Sequence, residues 1–141
     1  MDLDVTFDDS ILSFLGFTFG DPILGDQLDL SGLGSLTDVA PGAGTVNLFE
    51  LSFDPPADLD SLQAGSFTLG TLAFLAISSG LSDLGLSVNA LGDASGNPLT
   101  MGVQSGRVVV NAAFVPEPAV LLLLLVAGVI RCAVTRVPPE R

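Results

Sequence analysis

Between Ala119 and Ile130 every side chain is apolar, and Pro116-Glu117-Pro118 stands immediately before that run. Arg131 and Arg136 close it. Such a segment must be kept out of water. The five leucines from Leu121 to Leu125 leave no polar face of the kind a helix docked on a soluble core presents. Pro118 suits the first turn of a helix, where its missing N–H would have had no partner, and Glu117 favours the positive end of the helix dipole. Length alone also fits a buried core helix or the apolar part of a signal peptide. The energetics favour a membrane. The Leu, Val and Ile residues of the run contribute roughly −3 to −5 kcal/mol, against about +2.5 to +3.5 for a central Arg. Arg131 is terminal and can snorkel, which lowers its cost. Residues 119–137 as a helix would measure roughly 28 Å at 1.5 Å per residue, close to the hydrocarbon thickness. The expected organisation is a domain at 1–113, a linker at 114–118, a transmembrane helix at 119–137 and a short cytoplasmic tail at 138–141.

Charge is divided along the chain. Its 141 residues include 16 carboxylates, four arginines, no lysine and no histidine. Arg107 is the only cation before residue 119; Arg131, Arg136 and Arg141 follow the apolar run. An acidic body repels phosphate backbones, so nucleic acid is excluded as a partner. The positive-inside rule keeps the arginine tail cytoplasmic and puts the acidic body across the membrane, where its charge aids solubility and attracts divalent cations or basic partners. Cys132 is the only cysteine, which rules out a disulfide within the chain and reads as a small apolar filler; acylation or a redox role is the alternative. Met1-Asp2-Leu3-Asp4 lacks the basic and apolar regions of an export signal. The expectation is either a missing start or a C-tail anchor.

The body alternates with a period of two. Leu3 to Asp8 reads as a half-buried strand with no lead-in, followed by Ile11–Leu15 and the alternating Phe17 and Phe19. Leu28 and Leu30 suggest a short strand, and residues 31–44 a Gly/Ser/Pro-rich connection. Thr45 to Phe53 is apolar on both faces, as a central strand would be. Leu59 and Leu62 suggest one helical turn. Phe67 to Phe74 reads as a strand whose phase shifts at Gly70-Thr71, as a β-bulge would require. Leu84, Leu86 and Val88 alternate, residues 92–98 read as a loop, and Gly102 to Ala112 as one long strand or a closing pair. Short strands separated by turn residues predict an all-β sandwich.

Two resemblances carry these readings further. Residues 115–136, with Val115, Pro116, Glu117, Pro118, the apolar helix and the arginines Arg131 and Arg136, resemble the PEP-CTERM sorting signal of Gram-negative bacteria. That family usually ends in a tight arginine cluster, whereas here the arginines are spread. The resemblance implies processing by an exosortase acting at Pro116, Glu117 and Pro118, and delivery to the cell surface or extracellular matrix. It also implies a structural or binding role associated with exopolysaccharide or a surface protein. The phrases FDDSILSF, SFTLGTLAF and NALGDASGNPLT, with the Val-rich strand after them, are similar to cohesin-like domains. This implies a jelly-roll β-sandwich over residues 1–113 and admits a dockerin-like protein partner. Met1 falls where that family's second strand runs, so the expected sandwich lacks its first strand and leaves a neighbour unpaired.

The inventory leaves little for catalysis. Without histidine there is no Ser-His-Asp or Cys-His arrangement and zinc lacks its usual ligands. Without lysine there is no Schiff base or P-loop. The Asp residues sit singly at turns, where they bond their own backbone. No enzyme and no resident cofactor are expected. A carbohydrate-binding module would generally stack sugars on Trp or Tyr, and the chain has neither; its nine Phe fall mostly in strand phrases. Asp93, Ser95 and Asn97 place oxygen side chains at alternate positions, loosely like a calcium loop but without its bidentate Glu; the competing reading is an Asx-type turn.

Overall fold

A computed structural model describes residues 1–112. They form β1 (Asp2–Thr6), β2 (Leu12–Phe19), β3 (Ser35–Gly42), β4 (Thr45–Ser52), α1 (Pro56–Leu62), β5 (Gly70–Ala76), β6 (Gly80–Ala90) and β7 (Gly106–Val110). A five-stranded sheet runs in the order β3-β4-β1-β6-β7, and β2 and β5 make a second sheet. Every pairing is antiparallel.

Alternation decides which face is which. Leu3 and Val5 of β1, with Val46 and Leu48 of β4, form the buried centre, so the five-stranded sheet turns these residues inward. From the facing sheet Phe14, Phe17 and Leu72 pack onto them, and β6 adds Leu86 and Val88. Phe7 and Phe74 meet edge to face at 5.0 Å, Phe14 and Phe74 at 6.0 Å, geometries that suit the ring quadrupoles. The same alternation turns Asp2 and Asp4 to the opposite face.

Thr45–Phe53 appears as β4, flanked by β3 and β1 as its two apolar faces imply. The helical turn at Leu59 is α1, whose Pro56 occupies the first turn and whose Leu59 is buried; Leu62 is exposed.

Several sequence expectations are corrected. Leu28 and Leu30 form no strand, because side chains take the backbone donors a ladder would use. Asp26 Oδ1 accepts from Leu28 N at 2.9 Å, and Asp54 Oδ2 accepts from Leu30 N at 2.6 Å and Ser31 N at 3.1 Å. Residues 31–44 are more than a connection, since they contain β3, paired with β4 through the two-residue turn Ala43-Gly44. Gly44 has φ 65°, and a Cβ there would meet the Phe7 carbonyl. Pro41 and Asp38 are tolerated because β3 is an edge strand. The phase shift at Gly70 marks the start of β5. The bulge lies in its partner, between Phe14 and Gly16, and the Phe17 ring lies where a Cβ on Gly70 would go. The long strand expected over 102–112 is confined to β7.

The pairings show where open edges lie among the described residues. There β1 is paired on both sides, by β4 and β6, whereas β2 and β5 each have one neighbour. Among the described residues no helix is long and apolar enough to cross a membrane. The expected transmembrane helix at 119–137 lies outside them, as do Cys132 and the sorting residues Val115, Pro116, Glu117, Pro118, Arg131 and Arg136.

Candidate partner-binding face

The outer face of the five-stranded sheet carries an acid–amide cluster at its centre. Asn47, opposite Asp4 in the β1–β4 register, donates through Nδ2 to Asp4 Oδ1 at 2.8 Å and to Asp2 Oδ1 at 2.7 Å. On the other side, the β1–β6 register shifts between Asp2 and Leu3, so that Ala90 and Val88 are consecutive partners and Asn89 is the extra residue. A bulge of this kind re-aims a side chain. Asn89 Nδ2 accordingly reaches Asp4 Oδ2 at 2.9 Å and Asp2 Oδ1 at 3.1 Å. The donors on Asn47 and then Asn89 hold the Asp4 carboxyl below its ordinary range, which keeps it ionised.

Exposed apolar pairs flank this cluster. Leu36 of β3 lies opposite Leu51 of β4, and Leu81 of β6 opposite Val109 of β7; all four are exposed. Next to the second pair Arg107 Nε meets Asp83 Oδ1 at 2.6 Å. With both side chains more than half exposed, that contact fixes geometry more than it stabilises. Carboxylates with preset orientation between apolar flanks suit a partner that brings basic or hydrogen-donating groups on an apolar surface.

None of the four cluster residues stood out in the sequence. The available signal was asparagine inside strand phrases, VNLFELSF and LSVNA, where it is normally depleted. The residues that did stand out, Asp93, Ser95 and Asn97, are brought together in the β6–β7 connection. Asp93 Oδ1 accepts from Ser95 N at 2.9 Å and Asn97 N at 2.8 Å, and Oδ2 from Asn97 Nδ2 at 2.9 Å. These donors, Asn97 foremost, lower the Asp93 pKa. The carboxylate organises its own loop, as an Asx-type turn does. Among the described residues no three acidic or cysteine side chains converge in a way that would hold a metal.

A second titratable group lies inside. Glu50 of β4 points inward with Val46 and Leu48 and is fully buried. Ser35 Oγ donates to its Oε1 at 2.9 Å. Burial raises its pKa to about 7, the nearby Asp26 carboxyl adds to the rise, and Ser35 and the Met1 amine oppose it.

The chain resembles solved structures in fold. It matches a chain of the CaDoc0917–CaCohA2 complex at pH 5.5 with 14% identity and a TM-score of 0.58, over 78% of this chain and 77% of that one. The fold is cohesin-like. The sixth cohesin of Acetivibrio cellulolyticus scaffoldin B, solved with a Cel5 dockerin, matches with 16% identity and a TM-score of 0.54, over 78% and 75% of the two chains. The Coh-OlpA–Doc918 complex of Clostridium thermocellum, a type I cohesin–dockerin complex, gives 14% and 0.56 over 77% and 74%. No protein-family profile and no curated protein matches the sequence. At these identities the likeness establishes the fold, a cohesin-type jelly roll, and nothing beyond it.

Proposed function

We propose that residues 1–112 form a non-enzymatic protein-interaction module of cohesin type, which engages a dockerin-like partner through the outer face of the five-stranded sheet. The carrying observation is the preset Asp2/Asp4/Asn47/Asn89 cluster between two exposed apolar pairs, on a fold whose solved likenesses were determined with dockerins. The full chain in detergent, immobilised and presented with dockerin modules, should retain at least one of them. Asp4→Lys, which puts a cation at the centre of the face, should weaken that binding at least ~10-fold, or about 1.4 kcal/mol. Retention unchanged by Asp4→Lys would place the contact elsewhere, and failure of every dockerin to bind would end the dockerin reading.

The C-terminal signal complements this reading by supplying an address. Pro116-Glu117-Pro118, the apolar run and the arginines are read as an exosortase signal on an exported protein of a Gram-negative bacterium, with the acidic module outside the cytoplasm. Surface or exopolysaccharide association follows from that address. Glu117→Ala in an exosortase-bearing host should leave an unprocessed, membrane-retained form; processing at the unaltered rate would remove Glu117 from recognition.

A further inference from the structure

A cavity of about 720 Å³ lies beside the C-terminal end of β4, between α1 and the β6–β7 connection. Its apolar wall includes Leu28, Leu59, Phe67, Leu69, Leu99 and Met101. Its lining is richer in carboxyl groups than in cations: Glu50, Asp54, Asp60 and Asp93 contribute carboxyls against the single Met1 ammonium, and Arg107 is not among the lining residues. Asp54 is the decisive member. It is only 6% exposed, and while its Oδ2 takes the Leu30 and Ser31 amides, its Oδ1 has no partner among the described residues. A carboxylate oxygen removed from water without a donor is costly, and a cation supplied from outside would relieve that cost.

We propose that this cavity receives the side chain of an arginine or lysine from a partner polypeptide, its alkyl stem against the leucine wall and its cationic head at Asp54. Size, wall and charge each narrow the ligand. The volume is within the range of small-molecule pockets. Apolar walls favour a methylene stem, while the excess of carboxyl groups over the Met1 ammonium, with Asp54 Oδ1 unpartnered among the described residues, favours a cation. A bare divalent ion would leave the leucines uncovered and finds no converging carboxylate trio. Leu51 borders both sites, so the Asp54 and Asp4 substitutions, each at a residue of one site only, separate this reading from the outer-face one.

The test uses the full chain in detergent, with amide shifts read by NMR as n-hexylguanidinium is added. Saturable shifts at Asp54, Leu59 and Leu99 are expected, with 1-hexanol and hexanoate binding at least ~10-fold more weakly. Asp54→Asn keeps an acceptor for the Leu30 and Ser31 amides and should weaken hexylguanidinium by a similar factor, with Asp83→Asn as the unaffected control. Ser66→Trp, at an exposed lining position, should block the cavity without removing a carboxylate, so the test survives if Asp54→Asn fails to fold. A short peptide with a single arginine should displace the probe. Equal binding of 1-hexanol, or indifference to both substitutions, would overturn the proposal. Probe binding without displacement by the arginine peptide would overturn the polypeptide ligand.

Discussion

Residues 1–112, purified alone, are expected to self-associate through the β2–β5 sheet. Sheet edges expose rows of unpaired N–H and C=O groups, and proteins blunt them with charge, proline or shortness. The five-stranded sheet does so: β3 carries Asp38 and Pro41, and β7 has five residues including Arg107. The smaller sheet does not. β2 reads LSFLGFTF and β5 GTLAFLA, with no charge and no proline in either, and Leu15 and Leu75 are exposed at 64% and 52%. The core gives little margin, since Leu3, Val5, Leu12, Val46, Leu48 and Leu59 are its only buried apolar residues among those described. A few hundred Å² of uncovered apolar surface corresponds to roughly 5–10 kcal/mol at about 25 cal/mol per Å², comparable to the whole stability of a domain. Sedimentation should show concentration-dependent oligomers or aggregates. Leu15→Lys with Leu75→Lys should shift that equilibrium at least ~10-fold toward monomer. A monomer at every concentration, with a sharp reversible thermal transition, would show that both edges are protected in solution.

Stability is expected to fall as pH rises from about 5 to 8. Glu50 carries its proton in the folded state up to a pKa of about 7, above the ordinary 4.5, because burial and the Asp26 carboxyl disfavour its anion. A raised folded pKa means that the folded state binds more protons than the unfolded state across that window. Its contribution is therefore complete below pH 4.5 and is lost as pH climbs through 7. The shift amounts to about 3 kcal/mol at 1.36 kcal/mol per pKa unit. Asp4, Asp8, Asp21 and Asp93 act oppositely: their lowered pKa values, caused first by donors from Asn47, Ser10, Leu24 and Asn97 respectively, remove stability as pH falls below the carboxylate range. Maximum stability should fall at mildly acidic pH. Denaturant titrations of the edge-charged variant across pH 5–8 would measure the slope, and Glu50→Gln should flatten it while raising stability at pH 8. A flat wild-type profile would mean that Glu50 is ionised throughout.

The all-β class was legible because period-two alternation is local: Leu3/Val5, Val46/Leu48 and Leu86/Val88 declare an inner face without knowledge of any neighbour. Turns at Asp8-Asp9-Ser10 and at 92–98 were legible for the same reason, since an Asx side chain bonds amides two to four residues away. β3 was missed because its glycine, proline and aspartate are compatible with an edge strand only once β4 is beside it. The strand expected at Leu28–Leu30 failed because Asp54, some 24 residues away, claims its amides.

What the sequence determined by itself is therefore composition-bound: no histidine or lysine chemistry, no internal disulfide, and a sheet-forming body ahead of an apolar run. The tertiary structure alone decided which side chains meet. Asp2, Asp4, Asn47 and Asn89 come from three strands separated by up to 87 residues, and one bulge determines that Asn89 reaches the cluster. Glu50 reads as one more polar residue in VNLFELSF; only its inward register among Val46 and Leu48, with Asp26 beside it, makes it a group that titrates near neutrality. Non-local register sets these contacts, and register depends on pairing partners that no local pattern names.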